Sequence, residues 1–245
     1  MNESGYADPD IAHLYELLNE WAESDDFYLE WVMDAESVLD VGCGTGLILR
    51  TARESGHPGR LVGLDPAAAM LDVARSHRTD IEWVNGYVQD FSFEAEFDLV
   101  FMSGHAFQEW VSDEELRTSL TAIRDALTEN GRFVFETRNP ELRPWESWTP
   151  ENAVEIAHPD GGVIWDQNDV QLPVRGDVVT FVSRTTSPDF EDTKEVTCTL
   201  RFLGRELLSV FLEEAGLEIE AQYGNWDLTP LTRLSPEIIT VVRRR

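Results

Sequence analysis

Asp40, Gly42, Gly44 and Gly46, in the stretch VLDVGCGTG at residues 38 to 46, are the residues whose types and spacing invite chemistry. A short apolar run precedes the glycines and LILRTAR follows them, so a buried strand is predicted to turn tightly into a helix. A triphosphate loop would read G-x-x-x-x-G-K-[ST], and this stretch contains no lysine. A dinucleotide loop reads G-x-G-x-x-G, whereas here the spacing is G-x-G-x-G and position 47 is Leu47. Asp40 would crowd a pyrophosphate but can accept a hydrogen bond from an ammonium group. The ligand is therefore read as zwitterionic rather than doubly phosphorylated.

Asp65 closes the next strand, RLVGLD, where an adenosine ribose would lie if its adjacent part rested on the first loop. A carboxylate there can accept both ribose hydroxyls. Together the loop and the two acids suggest an amino acid joined to an adenosine, which describes S-adenosylmethionine.

The elements that must position these residues follow an alternating pattern. Residues 10 to 33 suit two amphipathic helical pieces broken near Ser24-Asp25-Asp26. Then come SVLDVG (strand), TGLILRTARES (helix), RLVGLD (strand), PAAAMLDVARS (helix, with Pro66 first), IEWVNG and FDLVFMSG (strands), SDEELRTSLTAIRDALTEN (helix) and RFVFET (strand). Ser112 and Glu115 make a capping box at the start of the long helix, and Gly131 is its predicted stop. Short apolar strands alternating with helices predict a parallel sheet covered on both faces. From Asn139 to Arg201 the pattern turns antiparallel: VEIAHPDGGVIWDQ, DVQLPV, DVVTFVSRTTS and EVTCTLRFL alternate around turns at 159–162 and 175–177. GRELLSVFLEEAG, a helix ended by Gly216, and two closing strands complete the frame. The expected division is an α/β domain of residues 1–138 and 202–245, whose residues 1–35 form a leading helical lid, with an inserted antiparallel subdomain at 139–201.

Composition limits the partners. The chain has 245 residues with 47 acidic against 19 basic ones, and Lys194 is its sole lysine. Nucleic acid is a poor partner for such a chain, because phosphate neutralisation needs clustered Lys and Arg. Self-repulsion on this scale is screened at ~1 M salt, where the Debye length is ~3 Å, so the balance points to a salt-rich cytoplasm. The polar start MNESGYADPD lacks a signal-peptide pattern, and no apolar run approaches the ~18 residues of a membrane span, so a cytoplasmic protein with no membrane partner is expected. Cys43 and Cys198 are too far apart in sequence for a metal pair or a disulfide framework, so no metal is expected.

In order and spacing, VLDVGCGTG (38–46), LVGLDPAAAML (61–71), FDLVFMSGHAF (97–107) and GRFVFE (131–136) resemble the class I S-adenosylmethionine-dependent methyltransferases of the small-molecule type. The resemblance implies a Rossmann-like seven-stranded sheet in the order 3-2-1-4-5-7-6, with strand seven antiparallel and the small antiparallel insertion after strand five. It implies Asp40 and the Gly42, Gly44 and Gly46 backbone at the methionine end, Asp65 on the ribose, and Pro66 and Met70 beside the adenine. Ser103 and Gly104 match positions that meet the ammonium group, and Tyr15 and Tyr28 match leading-segment aromatics that close over the cofactor, although helical spacing also allows both to be core. The family usually has Gly-Asp after strand three; this chain has Gly86-Tyr87, leaving Tyr87, the Val88 amide or Asp90 to meet the adenine.

Methyl transfer from a sulfonium is an in-line displacement in which positioning does most of the work. If the nucleophile must lose a proton, His105 and Glu109, in the loop after strand four, are the best-placed bases. Arg138 and Asn139 after strand five, with Trp145, Trp148 and Trp165, are the substrate-side candidates: the arginine could clamp a carboxylate, and the rings could wall an acceptor or form the insertion's own core. The alternative function is a non-catalytic regulatory protein that binds the same cofactor.

Overall fold

Val38, Leu39, Val41, Leu61, Val62 and Leu64 come from two short apolar runs and are all buried, because both faces of their strands are covered. These strands, β1 (Ser37–Val41) and β2 (Arg60–Asp65), pair in parallel within a seven-stranded sheet that also holds β3 (Glu82–Asn85), β4 (Phe97–Met102), β5 (Leu127–Arg138), β10 (Leu217–Tyr223) and β11 (Glu237–Arg244). The computed structural model describes residues 5–245; Met1 to Ser4, part of the polar start read above, lie outside the described residues. The sheet order β3-β2-β1-β4-β5-β11-β10 is the expected one, and β11 runs antiparallel to both neighbours.

Parallel neighbours need crossovers, which α3 (Leu47–Glu54), α4 (Ala68–His77) and α5 (Asp113–Ala126) supply; α6 (Arg205–Glu214) leads into β10. One core cluster joins Phe133 and Phe135 to Leu116 and Leu120 of α5 and Phe211 of α6. The other joins Val38, Phe101 and Val134 to Leu49 of α3 and to the leading segment through Phe27, Tyr28 and Val32. Between β5 and α6 lies the expected insertion, a four-stranded antiparallel sheet in the order β6 (Val154–Ala157), β7 (Val163–Val170), β8 (Val178–Thr186) and β9 (Lys194–Arg201). DVQLPV is not one strand, since β7 ends at Val170 and the rest forms the connection to β8. Among the described residues no helix is long and apolar enough to cross a membrane.

Three helix boundaries differ from the sequence reading. The leading helices, α1 (Pro9–Leu18) and α2 (Glu23–Asp34), break at residues 19–22 and not at Ser24-Asp25-Asp26, because Asp25 turns back to accept the Ala22 N–H at 2.8 Å and so begins α2. Pro66 stands outside α4, since Asp65 Oδ1 accepts the Ala67 N–H at 2.7 Å and holds that residue as the cap. Gly131 does not stop α5: the helix ends at Ala126, and Leu127 already pairs with Phe97 of β4. Gly131 instead permits a close strand approach, for a Cβ there would lie 2.8 Å from the Phe97 carbonyl oxygen. At the other end Ser112 Oγ accepts the Glu115 N–H at 3.1 Å, as the capping pattern predicts.

Candidate active site

The glycine loop turns where β1 meets the C-terminal edge of the sheet. The amides of Gly42 and Cys43 donate to the Leu64 carbonyl at 2.8 and 3.1 Å, which folds the loop back onto β2. Gly46 has φ +73°, and a Cβ on it would meet the Trp83 ring at 2.2 Å, so both backbone and space require glycine. Asp65 Oδ2 accepts the Gly44 N–H at 2.8 Å, tying the loop to the acid that closes β2. Asp40 is 1% exposed, and its Oδ1 has no hydrogen-bond partner. Burial, with Asp65 and Glu136 adding, pushes its carboxyl well above the usual carboxylate range. A buried acceptor without a donor is costly, and an ammonium group would satisfy it.

Tyr15 of α1 reaches over the loop. Its ring lies 3.8 Å from the Cβ position of Gly44, and its hydroxyl 4.0 Å from that of Gly104 at the end of β4. Burial, with the charges of Asp65, Asp25, Asp40 and Glu136, lifts this hydroxyl to about 12. Tyr6 packs edge-on against Tyr15 with ring centroids 5.6 Å apart. Ser103 and Tyr87 are half-buried, Gly104 and Pro66 are exposed, and the Val88 side chain is part of the core. Met70 is buried and packs against Ala12 and Tyr15 of α1.

Tyr28 takes the core alternative. It is fully buried and stacks on Phe101 at 5.3 Å, so it belongs to the core rather than to a lid. Its hydroxyl donates to Glu136 Oε2, while Glu136 Oε1 accepts the His105 N–H at 2.7 Å. His105 Nε2 in turn lies 3.0 Å from Glu237 Oε2 on β11. Neither acid was singled out in the sequence. A lone acid inside the apolar run RFVFET was the available signal for Glu136; Glu237, in PEIITVVRR, had none.

Glu109 is exposed and ends the short 3-10 turn Ala106–Glu109, which packs against β9. Desolvation by the surrounding protein pushes its carboxyl up to about 7, with the Asp65 and Glu115 charges adding. Tyr6 is within electrostatic reach of Glu109, Cys198 and Arg138, and Cys198 is within reach of Glu109 and Asp166. The segments of Tyr6 and Glu109 both pack against β9, so these groups gather over the face of the small sheet that carries Asp166, Phe181 and Cys198.

The substrate-side candidates divide. Asn139 is 4% exposed, its amide donates to the Arg233 and Ser235 carbonyls, and its Oδ1 accepts the Glu141 N–H, so it is a structural clamp. Trp145 packs on Phe202 and Trp148 on Phe181, forming the insertion's core. Trp165 alternates with the buried Ile164 and stands on the opposite face of the small sheet, 45% exposed. Arg138 is half-buried, its guanidinium bonded to Gln108 and stacked on Trp148.

The sheet order, the reversed last strand and the glycine loop after β1 define a Rossmann-like methyltransferase fold. Residues 38–131 match the family described as a methyltransferase domain. The chain is 24% identical over 267 residues to the cypemycin N-terminal methyltransferase of a Streptomyces species, covering 100% of both proteins. It is 30% identical over 153 residues to the dTDP-3-amino-3,6-dideoxy-alpha-D-glucopyranose N,N-dimethyltransferase of Streptomyces fradiae, covering 58% of this chain and 55% of that one. The solved CcbJ methyltransferase of Streptomyces caelestis superposes with a TM-score of 0.75 at 17% identity, covering 100% of this chain and 99% of that one. Residues 38–131 are thus a methyltransferase domain, and the chain is similar to S-adenosylmethionine-dependent methyltransferases. It is an enzyme that uses S-adenosylmethionine, and the reading as a non-catalytic regulator is set aside.

Proposed function

We propose that the enzyme methylates an amine on a small molecule, with Glu109 as the base. The observation that carries this reading is the placement of Glu109 with Tyr6 over β9 of the small sheet, where its carboxyl is lifted to about 7. Acids at Asp65, Glu109 and Asp166 favour a cationic acceptor, and the Streptomyces fradiae relative is named as an N,N-dimethyltransferase of an amino sugar.

In this reading Asp40, Ser103 and Gly104 take the ammonium end of the cofactor, with the Gly42, Gly44 and Gly46 backbone shaping the methionine side. Asp65 still has lone pairs for the ribose hydroxyls after accepting the Gly44 and Ala67 amides. Pro66, Tyr87 and Val88 border the adenine, and Tyr15 covers the loop. When bound, S-adenosylmethionine supplies a methyl group made electrophilic by its sulfonium. The chain's task is to hold the acceptor nitrogen about 3 to 3.5 Å from that carbon and to exclude water, which falls to Tyr6 and Tyr15. Glu109 takes the nitrogen's proton; a carboxylate near 7 does this against a smaller gap than an ordinary one. His105, held by Glu136 and Glu237, positions the loop rather than moving the proton.

We also propose a salt-rich cytoplasm as the setting, on the ground of the formal net charge of −28. The test of the acceptor reading is a mass-spectrometric screen of amines and their hydroxyl counterparts, with wild type and Glu109→Gln. Methylation of amines that collapses in the variant supports the reading; turnover of hydroxyl compounds alone refutes it.

A further inference from the structure

Arg138 is the last residue of β5, and its guanidinium is held on two sides. Nη1 donates to Gln108 Oε1 at 3.1 Å, and the guanidinium carbon lies 5.4 Å from the Trp148 ring centroid. Gln108 is itself fully buried and fixed by a 3.0 Å bond to the Arg201 carbonyl. Among the described residues, no carboxylate stands within ion-pair distance of Arg138.

That is unusual in a chain with 47 acids. Arg138 is half-buried; the buried Arg50 and Arg201 are each paired, Arg50 with Glu16 and Arg201 with both Asp113 and Asp177. The acids nearest Arg138 are engaged elsewhere. Glu237 faces Arg138 across the β5–β11 pairing but turns to His105, and Glu136 accepts from Tyr28 and His105. A half-buried cation without a close counterion is costly unless a ligand supplies one. Gln108, which holds Arg138, is the chain neighbour of Glu109, so the cation and the proposed base stand close together.

We propose that Arg138 anchors an oxyanion of the acceptor, a carboxylate or a phosphate, so that the substrate class is an amine carrying an anionic group. This rests on reading Glu109 as the base of the acceptor site. The planar guanidinium offers two parallel donors to either anion, and its stacking on Trp148 fixes the plane in which they point.

The test is binding to the protein saturated with S-adenosylhomocysteine, followed by ligand-observed NMR. The probes are matched twins: phenylalanine against phenethylamine, and glucosamine 6-phosphate against glucosamine. The anionic member of at least one pair is expected to bind about tenfold or more tightly than its twin. Arg138→Gln should abolish the difference and Arg138→Lys retain part of it, with S-adenosylhomocysteine affinity reporting that the variants are folded. The carboxylate and phosphate pairs separate the two sources of the anion. Twins that bind alike, no binding by either anionic member, or a preference that survives Arg138→Gln overturns the proposal. If uncharged-tail amines are nonetheless methylated, the amine reading stands without the anion anchor.

Discussion

Glu136 accepts the backbone N–H of His105 at 2.7 Å while its other oxygen holds the Tyr28 hydroxyl, so one buried acid ties the loop after β4 to the leading helix α2. His105 has φ +63°, a left-handed backbone that non-glycine residues adopt only when neighbours hold it there. Glu136 provides that restraint. Its loss should therefore affect both stability and the shape of the ammonium end of the site.

Glu136→Ala leaves two buried donors unsatisfied, and about 3 kcal/mol of stability should be lost. Glu136→Gln keeps one acceptor and should cost about 1 kcal/mol. Urea melts read both. A Glu136→Ala protein as stable as wild type would mean that the two donors find other partners.

Gly46→Ala should be among the most damaging single-methyl additions in the chain. It demands a left-handed alanine and drives its Cβ to 2.2 Å from the Trp83 ring. Together these should cost on the order of 3 kcal/mol. The same change at Gly56, where a Cβ meets nothing within 4 Å, adds no steric contact and should cost less despite φ +93°. Comparing the two thermal midpoints isolates the contribution of the Trp83 contact.

The rate should follow the ionisation of Glu109. Its base form is the carboxylate, so kcat/KM is expected to rise with pH through about 7 and level off above it. Glu109→Gln should remove that limb. A wild-type profile flat from pH ~5.5 to ~8 would exclude Glu109 as the base.

Salt should stabilise the fold although it weakens individual ion pairs. Lys194 reaches from β9 to Asp8 and Asp10 at the start of α1, at 2.9 and 2.6 Å, and bridges the insertion to the leading segment. Exposed pairs of this kind are worth at most about 1 kcal/mol each, whereas screening relieves the repulsion of the whole excess negative charge. Tm should rise from low to molar KCl. A constant or falling Tm would contradict the salt-rich setting.

The frame of the fold was legible because strand and helix periods alternate cleanly and the loop glycines sit where the backbone requires them. Helix ends were less so: Leu127 to Asn130 fit a helical pattern, yet Leu127 pairs with Phe97 of β4 and the chain enters β5 there. Asp40, Asp65 and Glu109 could be picked out from their order along the chain, since each follows or ends a strand at the same sheet edge. Glu136, Glu237 and Tyr6 were missed because they meet the site only through tertiary contacts between distant segments. Tyr28, Trp145 and Trp165 show the converse, since an aromatic at helical or strand spacing does not reveal which way its ring will face.

The central claim is that the loop and its acids form the cofactor site, and calorimetric titration of S-adenosylmethionine against wild type and Asp40→Asn tests it most directly. Burial holds the Asp40 carboxyl well above its ordinary range, so its ionised form, which the ammonium needs, is lost as pH falls. Affinity should therefore rise with pH in wild type, and Asp40→Asn should bind about 10- to 100-fold more weakly with little pH dependence. A wild type that does not bind S-adenosylmethionine, or an Asp40→Asn protein that binds it as tightly, would contradict the account.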